Sequence, residues 1–134
     1  MEGRRLLETA ATEKKNANAQ YIVSAFHERA GGKEVKKAVQ FLKLAAAQKH
    51  MDAAARVAAI YTNGVKGVID VNHAEALKFG VPAADAGHNN SIRVMMGSNL
   101  EFGYGGVVDI PKALKFYRAA AEEKHGVALS RLML

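Results

Sequence analysis

The 134-residue chain contains no cysteine, and this absence excludes a disulfide framework, thiolate catalysis and cysteine-ligated zinc sites. It also favours a reducing compartment. Proline is scarce, since only Pro82 and Pro111 occur, and the β-branched and aromatic residues form no long alternating runs. Together these shortages predict an all-α protein.

Long apolar runs are missing as well. No run approaches the roughly 18 residues that a membrane-spanning helix needs, so we expect no membrane span. Residues 1–15 include acidic side chains and lack the apolar core of a signal peptide. These features favour a cytoplasmic location.

Positive charge is in excess, with 19 Lys and Arg against 13 Asp and Glu and a net charge of +6. The excess lies in residues 1–67, which contain 12 basic and 6 acidic residues, whereas residues 68–134 contain 7 of each. A basic patch is formed by Lys33, Lys36, Lys37 and Lys43. Such a patch is typical of a solvated helix surface, although it could also contact nucleic-acid phosphates. Because no aromatic residues are interleaved for base stacking and no RNA-binding motif is present, nucleic-acid binding is only the alternative function.

A helical pattern of apolar residues recurs four times along the chain. In the last three copies the apolar positions fall at offsets of 3, 4, 7 and 8 from the first alanine, which is one stripe of an α-helix. The four sets are Leu6, Leu7, Ala10, Ala11; Ala38, Phe41, Leu42, Ala45, Ala46; Ala76, Phe79, Gly80, Ala83, Ala84; and Ala113, Phe116, Tyr117, Ala120, Ala121. They close with Lys15, His50, His88 and His125, at intervals of 35, 38 and 37 residues.

A further helix precedes each of the last three sets, with apolar residues again spaced by three and four. These residues are Ala19, Val23, Phe26; Ala53, Val57, Ile60, Tyr61; and Ile92, Met96, Leu100. Glycine-rich turns at 31–32, 64–67 and 103–106 separate the two helices of each pair, and Asp70, Asn72 and Asp109 are the predicted helix caps. One such hairpin cannot bury its apolar face alone, so we expect consecutive hairpins to stack.

The sequence of the third hairpin resembles the Sel1-like repeat, a relative of the tetratricopeptide repeat. The resemblance is carried by the run LEFGYGGVVD at 100–109, by KAL at 112–114 and by FYRAAAEE from Phe116, while Ala19 to Val23 and Met96-Gly97 fit the first helix of the motif. It covers nearly the whole chain. It departs from the motif in the second repeat, where Gly80 and Pro82 stand inside the second helix, and we expect Pro82 to kink or locally open that helix.

The predicted fold is therefore an all-α solenoid of antiparallel helical hairpins in a single domain over residues 1–134. It comprises a half repeat at 1–15, three repeats at about 16–50, 51–88 and 89–125, and a partial repeat at 126–134. The resemblance implies a non-catalytic adaptor that holds a peptide or protein surface in a groove lined by the first helix of each hairpin. It brings no catalytic residues and no cofactor.

By analogy with tetratricopeptide geometry, the resemblance also implies which residues line that groove. They are Asn18, Tyr21, Ala25, Asp52, Ala55, Ala59, Thr62, Ser91, Val94 and Ser98. Most of these side chains are small, which would let an extended segment or a partner helix approach the backbone. The alternative is that they pack against the neighbouring helix.

Three histidines, His50, His88 and His125, recur at one repeat position. We expect them to finish the second helices, where a histidine suits the helix dipole. Equivalent positions in stacked repeats lie on the order of 10 Å apart, too far for ligand nitrogens that must each approach a zinc ion to about 2 Å. No metal site is therefore expected.

The C-terminal end is apolar, with Leu129, Leu132 and Leu134 among its last residues. The end of a solenoid normally carries a polar cap. Either a longer repeat protein is cut at this point, or these leucines pack on a partner or on a second copy of the chain.

Overall fold

The computed structural model describes residues 2–87 and 89–122. In this part of the chain there are seven α-helices: α1 (Glu2–Thr12), α2 (Ala17–Ala30), α3 (Glu34–Ala47), α4 (Met51–Asn63), α5 (His73–Asp85), α6 (Asn90–Phe102) and α7 (Ile110–Glu122). The described residues contain no strand, only an isolated bridge between Val65 and Ile69 in the turn after α4. The all-α prediction is confirmed.

The helices pack in chain order. The most extensive contacts join α2 to α3, α4 to α5 and α6 to α7, and smaller ones join each hairpin to the next. The buried side chains form three clusters along the chain, centred on Val23, on Leu42 and Val57, and on Met96 and Phe116. A core divided in this way is what stacked hairpins produce, since each buries its apolar face on its neighbours. The predicted solenoid is confirmed, and the exact repeat boundaries stay a prediction.

The glycine turns end the first helix of each hairpin as expected. Gly31, Gly64 and Gly103 follow α2, α4 and α6 with φ values of 73°, 70° and 75°, a region that side chains with a Cβ rarely adopt. The predicted caps at the next helices are partly confirmed. Asn72 accepts the N–H of Glu75 at 3.1 Å and Asp109 accepts that of Lys112 at 3.0 Å. Asp70 caps no described helix, because Asn72 occupies that position in α5.

The corners between hairpins show that His50 does not have its predicted position. Lys15, Lys49 and Gly87 have positive φ at the three corners, and an N-cap residue follows each: Asn16, His50 and Asn89. The prediction that His50 finishes the preceding helix is wrong, since its Nδ1 accepts the N–H of Ala53 at 3.1 Å and so begins α4. Its extended backbone (φ −79°, ψ 102°) suits that role. His88 and His125 lie outside the described residues.

Pro82 does not open the second helix of its hairpin. The α-helix α5 continues past it to Asp85, so the predicted local opening is wrong. Pro82 lies in the last turn, where only one backbone hydrogen bond is lost, and its ring is exposed to solvent. The nearby Gly80 has a clear packing role instead, because a Cβ there would lie 2.3 Å from Met96 Sδ and 2.9 Å from Ala58 Cβ.

Candidate functional site

The first helices of the three hairpins together line two adjacent cavities, which we call the first-helix groove. The first cavity, of about 480 Å³, lies between α2 and α4. Its lining residues are Tyr21, Ile22, Ser24, Ala25, Glu28, Arg29 and Arg56. The second, of about 330 Å³, extends to α6 and is lined by Tyr21, Asp52, Ala55, Arg56, Ala59, Asn89, Ser91, Ile92 and Met95. Tyr21 and Arg56 line both cavities, so the groove is continuous across three hairpins.

Six of the ten sequence-predicted groove residues line these cavities: Tyr21, Ala25, Asp52, Ala55, Ala59 and Ser91. The other four do not. Asn18 Oδ1 instead accepts a hydrogen bond from His50 Nε2 at 3.0 Å, and Ser98 Oγ lies 3.3 Å from the hydroxyl of Tyr117. Val94 packs against the core cluster around Met96, and the Thr62 hydroxyl is buried.

The groove residues that the prediction missed include one complete repeat position. Ile22, Arg56 and Met95 each lie three residues after the aligned positions Ala19, Ala53 and Ile92, and all three line a cavity. The analogy chose the preceding position, which in α6 is Val94. When the three first helices are aligned, this repeat position holds the large and chemically different side chains of Ile22, Arg56 and Met95. That variation between repeats was the feature of the sequence from which a binding surface could have been predicted.

Arg56 is held in one orientation by Glu28 across the gap between α2 and α4. Its Nε lies 3.0 Å and 3.1 Å from the two carboxylate oxygens, and its Nη2 also donates to Oε2. These hydrogen bonds raise the pKa of Arg56, with burial opposing them. A guanidinium fixed by a carboxylate fork has little freedom left to lose when a ligand binds.

Tyr21 is oriented in a similar way by the corner between α3 and α4. Its ring stacks on that of His50, with the centroids 4.8 Å apart. His50 is itself fixed at both ring nitrogens, since Nδ1 accepts from the backbone of Ala53 and Nε2 then donates to Asn18. The two large side chains shared by the cavities are therefore both preorganised.

The basic patch is only partly assembled. Lys33, Lys36 and Lys37 are exposed around the first turn of α3, and Lys37 lies 3.6 Å from Glu34. Lys43 is separate, because its Nζ lies 3.5 Å from Glu75 and 4.9 Å from the centre of the Tyr61 ring. Burial acts to lower the pKa of Lys43, but the hydrogen bond to Tyr61 and the charge of Glu75 raise it overall. Lys43 thus joins α3 to α5, and nucleic-acid binding stays a prediction.

Three further predictions concern metal binding, a membrane span and the apolar C-terminal end. Among residues 2–87 and 89–122 there is no group of three His, Asp or Glu side chains placed to hold a metal ion. In the same ranges, no helix combines the length and the apolarity needed to cross a bilayer. The leucines proposed for self-association, Leu129, Leu132 and Leu134, lie outside the described residues.

Comparison with known structures supports the same architecture. A Sel1 repeat protein from Oxalobacter formigenes is 24% identical with a TM-score of 0.75, over 98% of this chain and 53% of that one. A protective antigen present in uropathogenic Escherichia coli strains, which displays an SLR fold, is 27% identical with a TM-score of 0.75, over 93% of this chain and 26% of that one. The chain thus spans about half and about a quarter of the lengths of these two proteins.

Comparison with curated proteins gives no match. The sequence profile described as "Sel1 repeat" matches the chain three times, at residues 17–50, 52–88 and 94–125. These segments cover most of the chain and overlap the three helical hairpins α2–α3, α4–α5 and α6–α7. The chain belongs to the Sel1 repeat family, whose members generally serve as protein-interaction scaffolds.

Proposed function

We propose that this chain is a non-catalytic protein-interaction module that binds a peptide or protein segment in the first-helix groove. The observation that carries the proposal is the continuity of the groove across α2, α4 and α6 through the shared residues Tyr21 and Arg56. Tyrosine and arginine are enriched among the residues that dominate binding energy at protein interfaces.

The residues around these two anchors fit a peptide ligand. Ala25, Ala55 and Ala59 line the groove with methyl groups only, so the main chain of a bound segment can approach the helices closely. Ile22 is 42% exposed and offers an apolar contact beside Tyr21. A surface with rigid aromatic and guanidinium anchors among small residues binds with a low conformational cost.

The test uses a random peptide display library and the full chain. We expect selected peptides to bind the parent protein and to lose at least about tenfold in affinity when Ala25→Trp fills the first cavity, because a loss of about 1.4 kcal/mol of contact suffices for that change. Affinities would be measured by fluorescence anisotropy of labelled peptides.

Ala74→Trp is the matched control. Ala74 is an exposed alanine in the first turn of α5 and does not line the groove. The Ala74→Trp substitution should leave the peptide affinities unchanged. Circular dichroism should show the same helix content in both variants. Equal binding by the parent and Ala25→Trp, or a library that yields no binding peptide, would contradict the proposed function.

A further inference from the structure

The first cavity of the groove carries more positive than negative charge. Arg29 and Arg56 line it together with a single acid, Glu28. Glu28 is already engaged by Arg56, whereas Arg29 is exposed and forms no ion pair within the described residues. We propose that this cavity binds the carboxylate of an acidic peptide segment through Arg29 and Arg56, an inference that rests on the function proposed above.

The guanidinium of Arg56 has donors left for such a carboxylate. A guanidinium carries five N–H groups in a planar fork. Glu28 takes those on Nε and one on Nη2, which leaves both hydrogens of Nη1 and the second hydrogen of Nη2. The Arg56 side chain is 50% exposed while that of Glu28 is 21% exposed, so the guanidinium is the more accessible partner of the pair.

Apolar contacts lie beside the two arginines in the same cavity. Tyr21 and Ile22 are both in its lining, together with the small side chain of Ala25. A segment with an acidic residue next to an apolar one can therefore contact the arginines with its carboxylate and Tyr21 and Ile22 with its apolar side chain. The apolar contact contributes affinity, and the charged contact sets the register of the bound segment.

The surrounding charge favours an anionic ligand at this end of the groove. Lys33 and Lys36 follow Arg29 in the next turn and helix, and both are exposed without an ion pair in residues 2–87 and 89–122. Residues 1–67 carry 12 basic against 6 acidic side chains. The first cavity itself is lined by two arginines and one acid, so an approaching carboxylate is attracted to it.

The experiment deep-sequences the peptide pool selected by the full chain and measures the affinities of the most enriched peptides. We expect Asp and Glu to be enriched over the starting library. Arg29→Gln should weaken these peptides about threefold, as for an exposed ion pair, and Arg56→Gln about tenfold, as for charge-assisted hydrogen bonds. Lys115→Gln removes an exposed charge on α7 outside the groove and should change nothing.

Glu28→Gln separates ligand binding from a purely structural role of the ion pair. The variant removes the competing negative charge, whereas the amide oxygen of glutamine can still accept a hydrogen bond from Arg56 and keep its guanidinium oriented. If the cavity binds acids, Glu28→Gln should tighten the acidic peptides about threefold. If the pair with Arg56 only joins α2 to α4, the same variant should weaken them, and that result would overturn the inference.

Three outcomes distinguish the inference from the function on which it rests. Peptides that need an open first cavity but show no acidic enrichment would overturn the inference and leave the proposed function standing. No selected peptide at all would overturn both. An oligonucleotide that displaces the acidic peptide with equal affinity, through Arg29, would mark a general polyanion site and would also overturn the inference.

Discussion

The second and third hairpins carry the same pattern of small residues but place the glycine of the helix contact on opposite helices. In the third hairpin the glycine is Gly97, in the first helix α6, and the ring of Tyr117 from α7 lies over it. A Cβ at Gly97 would stand 2.7 Å from Cε1 of that ring. The aromatic side chain is thus accommodated within its own hairpin, where its hydroxyl donates to Glu101 at 2.8 Å.

In the second hairpin the arrangement is reversed. The position equivalent to Tyr117 is Gly80, in α5, and it faces Ala58 of α4. The space that an aromatic ring would fill is taken by Met96 from the next hairpin, whose Sδ and Cε would lie 2.3 Å and 2.7 Å from a Cβ at Gly80. Met96 is fully buried there.

This difference shows where each hairpin obtains its core contacts. The third hairpin fills its own interior with Tyr117, whereas the second depends on a side chain from its neighbour. Gly80, where the second repeat departs from the motif, therefore provides the slot for a contact between repeats. In a solenoid such contacts couple the stability of adjacent units.

The largest loss of stability is expected from Tyr117→Ala in the third hairpin. Tyr117 is 2% exposed, so its removal opens a large cavity above Gly97. We expect the free energy of unfolding to fall by about 3–5 kcal/mol, as for other large aromatic truncations in cores. Urea unfolding followed by circular dichroism would measure it.

Tyr117→Phe is the control for this substitution. It keeps the ring over Gly97 and removes only the hydroxyl that contacts Glu101 and Ser98. The expected loss is about 1 kcal/mol. Equal losses for Tyr117→Phe and Tyr117→Ala would mean that the hydroxyl, and not the ring, holds the third hairpin together.

The contact between Gly80 and Met96 can be tested by substituting both residues. Gly80→Ala should destabilise the parent protein by about 1–3 kcal/mol, since the added methyl group overpacks the slot of Met96. In a Met96→Ala background the same methyl group should cost clearly less, because only the tight contact with Ala58 Cβ remains and alanine is the better helix former. The difference between the two backgrounds is the coupling energy of a double-mutant cycle.

Gly3→Ala in α1 is the matched control for this cycle. A Cβ at Gly3 meets no atom within 4 Å, so the substitution should not destabilise the protein in either background. If Gly80→Ala costs the same with and without Met96, the contact between the second and third hairpins contributes nothing to stability and the proposed difference between the repeats is wrong.

The fold could be predicted from the sequence because it rests on local periodicity. Apolar residues three and four apart, with glycine at the end of each first helix, determine the hairpins independently of tertiary detail. Two predictions about single residues were wrong, in both cases for reasons of local backbone geometry. Pro82 is tolerated because it falls in an exposed last turn, and His50 begins α4 because Lys49 turns the chain before it.

The groove could be predicted only in part, because apolar periodicity identifies the buried stripe of each helix and does not identify a binding surface. The small residues Ala25, Ala55 and Ala59 were found by analogy with a related repeat. Arg56 was not, because its importance comes from the bidentate contact with Glu28, which lies 28 residues away in the sequence. Long-range pairs of this kind have no signature in a single sequence.

The first hairpin extends the comparison, since it uses neither glycine nor an aromatic ring at these positions. It has Ser24 in α2 and Leu42 in α3, both buried, and its helices are also joined by a polar contact near the turn. His27 Nδ1 donates to Glu34 Oε2 at 2.8 Å. This hydrogen bond, with the charges of Lys37 and His27, lowers the pKa of Glu34 from 4.5.

The smallest effect that we expect is a pH-dependent loss of thermal stability in Glu34→Gln. A carboxylate whose pKa is lower in the folded state stabilises the fold above its unfolded value of 4.5, and this stability is lost as the pH falls through the folded pKa. The thermal midpoint of the variant should lie slightly below that of the parent at pH 7, and the two should converge as the pH is lowered through the folded pKa of Glu34. Glu13→Gln, at an exposed position, should leave the midpoint unchanged throughout. A gap between parent and Glu34→Gln that does not narrow on acidification would show that the carboxylate charge does not hold the first hairpin together.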